Sequence, residues 1–170
     1  MERRTYARVN ARIRARARRT DDPYSPALFR WHEGGTVVPG ETELKEAGLP
    51  QVLVRYLAAL NTKLDALVAA QSRDVLREEY PLRFDVRDIS GAGLAFRTED
   101  PMEKGAAFEV VLSLSDSPPL MASAKGKVVE QENSGLWRFE FTNIRDTDLE
   151  YVIQFVFQEE REQIRRSKRI

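Results

Sequence analysis

Two short segments hold the residue types best suited to chemistry. The first is Asp88-x-Ser90-x-x-Gly93. Asp and Ser side chains bond to nearby turn amides, and glycine permits positive φ or a close backbone approach. Such a turn can present a carboxylate, a hydroxyl and unobstructed N–H groups to a ligand. It can also simply link two strands. A chance match is expected only about 0.03 times in a chain of this length and composition, so the segment carries weight. The second segment is Arg4-x-x-x-Arg8, with Arg3 beside it. Arginine is abundant enough here that about two or three such spacings arise by chance, and a solvated basic tail is the plainer reading of this one alone. Its chemistry is specific all the same. The planar guanidinium grips phosphate with paired hydrogen bonds and matches the O6/N7 edge of guanine.

Other chemistry lacks parts. The 170 residues include no cysteine and one histidine, His32. A disulfide framework, a thiolate metal site and a cysteine nucleophile are excluded, and a reducing compartment fits. A catalytic triad or multi-histidine metal site would have to be built around His32 alone. His32-Glu33 has no second histidine for a zinc-protease pattern, and Gly91-x-Gly93 lacks the third glycine of a dinucleotide fingerprint. The pairs Glu78-Glu79 and Glu159-Glu160 read as solvated helix residues rather than acid/base partners. We therefore expect no enzyme, no metal and no cofactor. Basic and acidic residues balance at 27 each, and Tyr6 is the only ring among the first 20 residues, which argues against a DNA partner. No apolar run approaches the roughly 18 residues of a membrane span, and residues 1–8 lack the apolar stretch of a signal peptide. The expectation is a cytoplasmic protein with no membrane insertion. A chain this long buries about 70% of its unfolded surface and needs no staple.

The positioning elements follow from periodicity. Eight arginines fall within residues 1–19 against one acid, Glu2. From Val9 the pattern alternates: Val9, Ala11, Ile13, Ala15 and Ala17 against Asn10, Arg12, Arg14, Arg16 and Arg18. A period of two predicts a half-buried strand. Arg3, Arg4 and Arg8 precede it as a flexible arm. Residues 21–26 read as a loop, and 28–31 with 36–38 as a small hairpin around Glu33-Gly-Gly35. A helix is predicted over about 51–79, ended by Pro81. Within it Leu53, Leu57, Leu60, Leu64 and Leu67 are spaced 4-3-4-3, a coiled-coil-like heptad seam that Gln71 interrupts. That stripe suits self-association; packing on its own domain is the alternative. Strands at 83–87, 94–98, 107–114, 120–129 and 136–141, separated by turn clusters, predict an antiparallel barrel or sandwich. A helix over 147–166 closes the chain, with Leu149, Val152, Ile153 and Val156 as its buried face and a basic end that suits the dipole. Trp31 and Trp137 read as core or interface residues.

Together, Glu2-Arg-Arg-Thr-Tyr-Ala-Arg8-Val9, Asp88-Ile-Ser-Gly-Ala-Gly-Leu-Ala-Phe96 and the closing stretch 153–161 resemble the PilZ family of cyclic di-GMP receptors. The resemblance implies a mainly β fold with added helices: a six-stranded antiparallel β-barrel, an inserted heptad helix and a C-terminal helix. It implies one domain over 1–170, with arm and first strand at 1–20, insertion at 21–81, barrel strands at 82–146 and closing helix at 147–166. By resemblance, Arg4 and Arg8 hold guanine and phosphate, with Arg3 as an auxiliary contact. Asp88 and Ser90 bond guanine edges and phosphate, and Gly93 keeps the surface open. One departure is large: Arg8 and Asp88 lie 80 positions apart, against a few tens in compact members. The excess resembles the helical insertion of an oligomeric subgroup. The implied function is a receptor and adaptor that changes arm conformation on binding cyclic di-GMP, self-associates through the inserted helix and signals to an unidentified protein. The alternative is an oligomeric scaffold of the same fold that does not bind the nucleotide.

Overall fold

Period-two stretches in the sequence become six strands that close on themselves. The computed structural model describes residues 6–31, 39–116 and 118–169. In chain order the elements are β1 (Arg8–Arg19), α1 (Glu41–Glu46), α2 (Gln51–Glu79), β2 (Leu82–Ser90), β3 (Gly93–Arg97), β4 (Ala107–Asp116), β5 (Pro119–Gln131), β6 (Trp137–Asn143) and α3 (Asp146–Ser167). The strands form a closed antiparallel barrel in the order β1-β2-β3-β6-β5-β4. This is the six-stranded barrel with inserted and C-terminal helices that the resemblance implies.

β1 keeps its alternation. Val9, Ile13, Ala15 and Ala17 are buried, and the arginines between them face outward. The small alanines leave interior room for rings from the other strands. Phe84 and Phe96 stack with centroids 4.0 Å apart, and Phe108 meets Phe84 edge-on at 5.3 Å. Val152 and Val156 of α3 belong to the same core and close the barrel. One boundary needs correction. Arg8 is not in an arm ahead of the strand; it is the first residue of β1 and pairs with β2.

β4 and β5 are buried on both faces. Phe108, Val110 and Leu112 point into the barrel, while Val111 and Met121 point outward under Leu76, Tyr80, Phe29 and Trp31. The stretch 28–31, expected as a hairpin limb, is not a strand. Its rings are needed to cover this outer face. The second limb, 36–38, lies outside the described residues. Polar anchors hold the covering segment down. Lys125 Nζ donates to the Asp22 carbonyl at 3.0 Å and to Ser25 Oγ at 2.7 Å, and Ser123 Oγ donates to the Phe29 carbonyl at 2.8 Å.

Glu109, 1% exposed, is a further buried anchor. It accepts from the Tyr80 hydroxyl and the Leu28 N–H, and Arg18 Nη2 lies 2.9 Å away. Burial, then the Glu109 carboxylate, push the Tyr80 hydroxyl well above its ordinary pKa of 10.0. A raised pKa means that the folded state holds the proton more tightly. That stabilisation is complete below about pH 10 and is lost as the pH rises further. Tyr80→Phe should cost about 1–3 kcal/mol at neutral pH, because Glu109 loses a donor. Urea denaturation should also show a shallower alkaline decline in the variant than in wild type.

α2 spans the residues its pattern predicts. Pro81 follows Tyr80 and ends it, since the residue before proline is steered away from helical geometry. Ala69 and Leu76 are buried. At 100° per residue they lie nearly opposite Leu60 and Leu67 on the helix. The face toward the barrel is therefore not the leucine seam. Leu53, Leu60, Leu64 and Leu67 stay 40%, 42%, 52% and 67% exposed. Val52, Tyr56, Val68 and Val75 widen this apolar surface. α1 was not anticipated; its six residues are too few to show a helical period. It packs against α2.

Candidate ligand site

Antiparallel pairing of β1 with β2 joins the two segments singled out in the sequence. Arg8 stands opposite Ser90, Val9 opposite Ile89 and Asn10 opposite Asp88. Arg8 Nη1 lies 2.9 Å from Asp88 Oδ1, with the two side chains 26% and 15% exposed. This shielding strengthens the pair relative to a surface ion pair. It does not exhaust the arginine, whose guanidinium carries five N–H donors in a fixed fork.

Ser90 is buried. Its Oγ accepts from the Ala92 N–H at 3.1 Å and points its own hydrogen toward the Gly93 carbonyl at 3.5 Å. Ser90 therefore shapes the β2–β3 turn, as hydroxyls do at such corners. Gly93 has a different role from the one the resemblance implies. It is buried and pairs with Glu140 of β6, and a Cβ placed on it would sit 2.1 Å from the Phe139 carbonyl oxygen. Its missing side chain makes room for a neighbouring strand, not for an open surface. Gly91 faces the ring of Tyr6, whose Cδ1 would lie 2.7 Å from an added Cβ. Neither glycine has positive φ. Of the two reasons for glycine in this motif, close approach is the one that holds.

The two glycines should respond differently to alanine. Gly93→Ala presses on backbone that cannot yield and should cost about 3 kcal/mol. Gly91→Ala needs only a ring to swing away and should cost under about 1 kcal/mol. Urea midpoints of the two variants check this.

The site has a wall that the sequence did not announce. A cavity of about 540 Å³ lies between Arg8, Val9 and Asn10 on one side and Glu160, Gln163, Ile164 and Ser167 of α3 on the other. Gln163 Nε2 donates to the Asn10 carbonyl at 2.7 Å and ties helix to strand. The basic end of α3 gave a charge signal but no hint that it flanks Arg8. Tyr6 was visible as a lone ring, without a sign that it packs on Gly91. Arg3 and Arg4 lie outside the described residues. Among the described residues no group of three or more His, Cys, Asp or Glu side chains could hold a metal ion. Among the described residues no helix is long and apolar enough to cross a membrane.

Comparison with known proteins follows the same lines. The PilZ domain family matches residues 61–158, more than half of the chain; the match includes Asp88, Ser90 and Gly93 and omits β1. No curated protein matches. A tetrameric PilZ domain of Xanthomonas campestris, described as self-assembled through a helical bundle, is 20% identical with a TM-score of 0.56, covering 95% of this chain and 90% of that one. The Bacillus subtilis inhibitor of motility MotI/DgrA is 10% identical with a TM-score of 0.52; 95% of this chain is covered, and this chain spans 53% of that protein. The PilZ domain of Escherichia coli YcgR, solved with c-di-GMP, is 17% identical with a TM-score of 0.43 over 52% of this chain and 79% of that one. At such identities the first two structural likenesses speak for the fold alone, and the family match speaks for membership: the chain belongs to the PilZ domain family.

Proposed function

We propose that this protein is a cyclic di-GMP receptor acting as an adaptor, with the dinucleotide held where Arg8 meets Asp88 and Ser90. The observation that supports this most is the β1–β2 pairing, which brings an arginine and a carboxylate-bearing turn from positions 80 apart to within 2.9 Å. The ligand carries two phosphates and two guanines. The Arg8 fork suits a phosphate or the O6/N7 edge, and the Asp88 carboxylate suits the guanine N–H donors. Ser90 and Gly93 act through the turn they shape. Arg3 and Arg4 add further guanidiniums for the ligand, as the family resemblance implies. The arginines of residues 1–19 repel one another, and a dianion offsets part of that repulsion; the resulting change ahead of β1 gives a surface that a partner protein reads. α2 joins copies of the chain through its leucine seam.

Calorimetric titration tests the reading. Cyclic di-GMP should bind saturably in the micromolar range. Cyclic di-AMP should bind at least about tenfold more weakly, because adenine offers an amino group where guanine offers O6. Absence of saturable heat with cyclic di-GMP defeats the proposal.

The scaffold reading draws on a specific observation too: Arg8 is already engaged by Asp88. In that reading the pair is a lock between strands, and the exposed seam of α2 is the working surface. Self-association fits both readings, so only the titration separates them.

A further inference from the structure

The outward row of β1 carries Arg8, Arg12, Arg14, Arg16 and Arg18. The fold gives carboxylates to the two ends of this row: Asp88 to Arg8 and buried Glu109 to Arg18. To the middle it gives only Asp85, the register partner of Arg14, which pairs instead with Arg87 at 2.7 Å. Arg12, Arg14 and Arg16 instead border a cleft of about 620 Å³, together with Arg83 of β2 and Arg73 and Arg77 of α2. One carboxylate, Asp116, lines the same cleft. Among the described residues none of these six arginines forms an ion pair.

The arrangement is held from beneath. Leu76, between Arg73 and Arg77, is buried against Val111 of β4, and Val111 is the register partner of Arg16. Arg16 in turn stands opposite Arg83. Like charges opposed across strands, or one turn apart on a helix, destabilise the fold unless an anion offsets them. Arg73 Nε donates to the Ala69 carbonyl at 3.3 Å, and its two terminal nitrogens carry the remaining donors. A neighbouring cleft shares Arg12, Arg14 and Arg83 but also contains Asp85, Glu99 and Asp100, so its charge is nearly balanced. The excess positive charge belongs to the first cleft.

We propose that this cleft is a second ligand site, separate from the Arg8–Asp88 junction, for a small molecule carrying a run of two or more linked phosphates. The volume falls in the range of small-ligand pockets. Several guanidiniums around one space suit several adjacent phosphate oxygens better than one. Among the described residues no aromatic ring lines the cleft, so they offer no platform for stacking a base. The phosphate chain is the recognised part, whether it comes as inorganic polyphosphate or as a nucleoside polyphosphate.

The test is calorimetry of the full chain with sodium tripolyphosphate at low salt, then with ATP. Wild type should bind tripolyphosphate saturably. Arg73→Gln combined with Arg77→Gln should weaken binding by at least about tenfold, with an unchanged circular dichroism spectrum, since both residues are exposed on α2. Arg8→Ala should leave tripolyphosphate binding intact, which separates this site from the cyclic di-GMP junction. ATP binding as tightly as tripolyphosphate supports recognition of the phosphates alone; ATP binding more than about tenfold tighter assigns the source to a nucleoside polyphosphate. Three results overturn the proposal: no saturable binding, binding indifferent to the Arg73/Arg77 pair, or tighter binding per phosphate to random single-stranded DNA, which would make the cleft a nucleic-acid surface.

Discussion

Replacing Arg8 with alanine should weaken cyclic di-GMP binding by about 100-fold. A charge-assisted, forked contact contributes about 1.5–3 kcal/mol, and each 1.4 kcal/mol is a factor of ten. The substitution acts twice. It removes the fork, and it leaves Asp88 without the guanidinium 2.9 Å away, so that an added carboxylate charge faces a dianionic ligand. Two companion variants separate these effects. Arg8→Lys keeps the positive charge and loses the fork, and should fall between wild type and alanine. Arg8→Ala combined with Asp88→Ala removes the repulsion along with the grip and should recover part of the loss. The barrel should survive each change, because Arg8 and Asp88 sit at the margin of the core and their ion pair is partly solvated. If Arg8→Ala binds as wild type does, the junction is not where the ligand sits.

If α2 joins copies as proposed, Leu60→Asp combined with Leu64→Asp should turn a multimeric wild type into a monomer of 19.5 kDa in light scattering. Both leucines are about half exposed in the isolated chain. Barrel contacts fall instead on the opposite face of α2, at Ala69 and Leu76. An apolar stripe of this length on an otherwise charged helix is covered when copies pair, and a carboxylate placed in such a seam must be desolvated without a partner. The far-UV spectrum should not change. A mass that ignores the two substitutions would mean that the seam does not join copies, and would leave an exposed apolar face without an occupant.

The sequence revealed elements with strong periods and missed those whose form depends on neighbours. β1 was legible because alanine and arginine alternate without a break. α2 was legible to the residue because a leucine period and a proline mark it. Arg8 was placed in the arm because nothing local says that β2 will pair with it; register across 80 positions is a tertiary fact. Residues 28–31 look like a strand because three of the four are apolar, yet Phe29 and Trp31 are a cover for Val111 and Met121. The glycine of the Asp-Ser-Gly motif suggested openness to a ligand, but its backbone faces a carbonyl of β6. In the candidate site, the residue types were readable and their meeting was not. The wall from α3 carried no signal of its place, since Gln163 and Ser167 are ordinary exposed helix residues until a strand lies beside them.

A crystal structure of the chain with cyclic di-GMP is the most direct test. We expect the dinucleotide against the β2–β3 turn, a guanine on the Asp88 carboxylate, and the Arg8 guanidinium sharing itself between that carboxylate and the ligand. Crystals grown at saturating nucleotide in which the junction is empty and Arg8 is still bound to Asp88 alone would contradict the account.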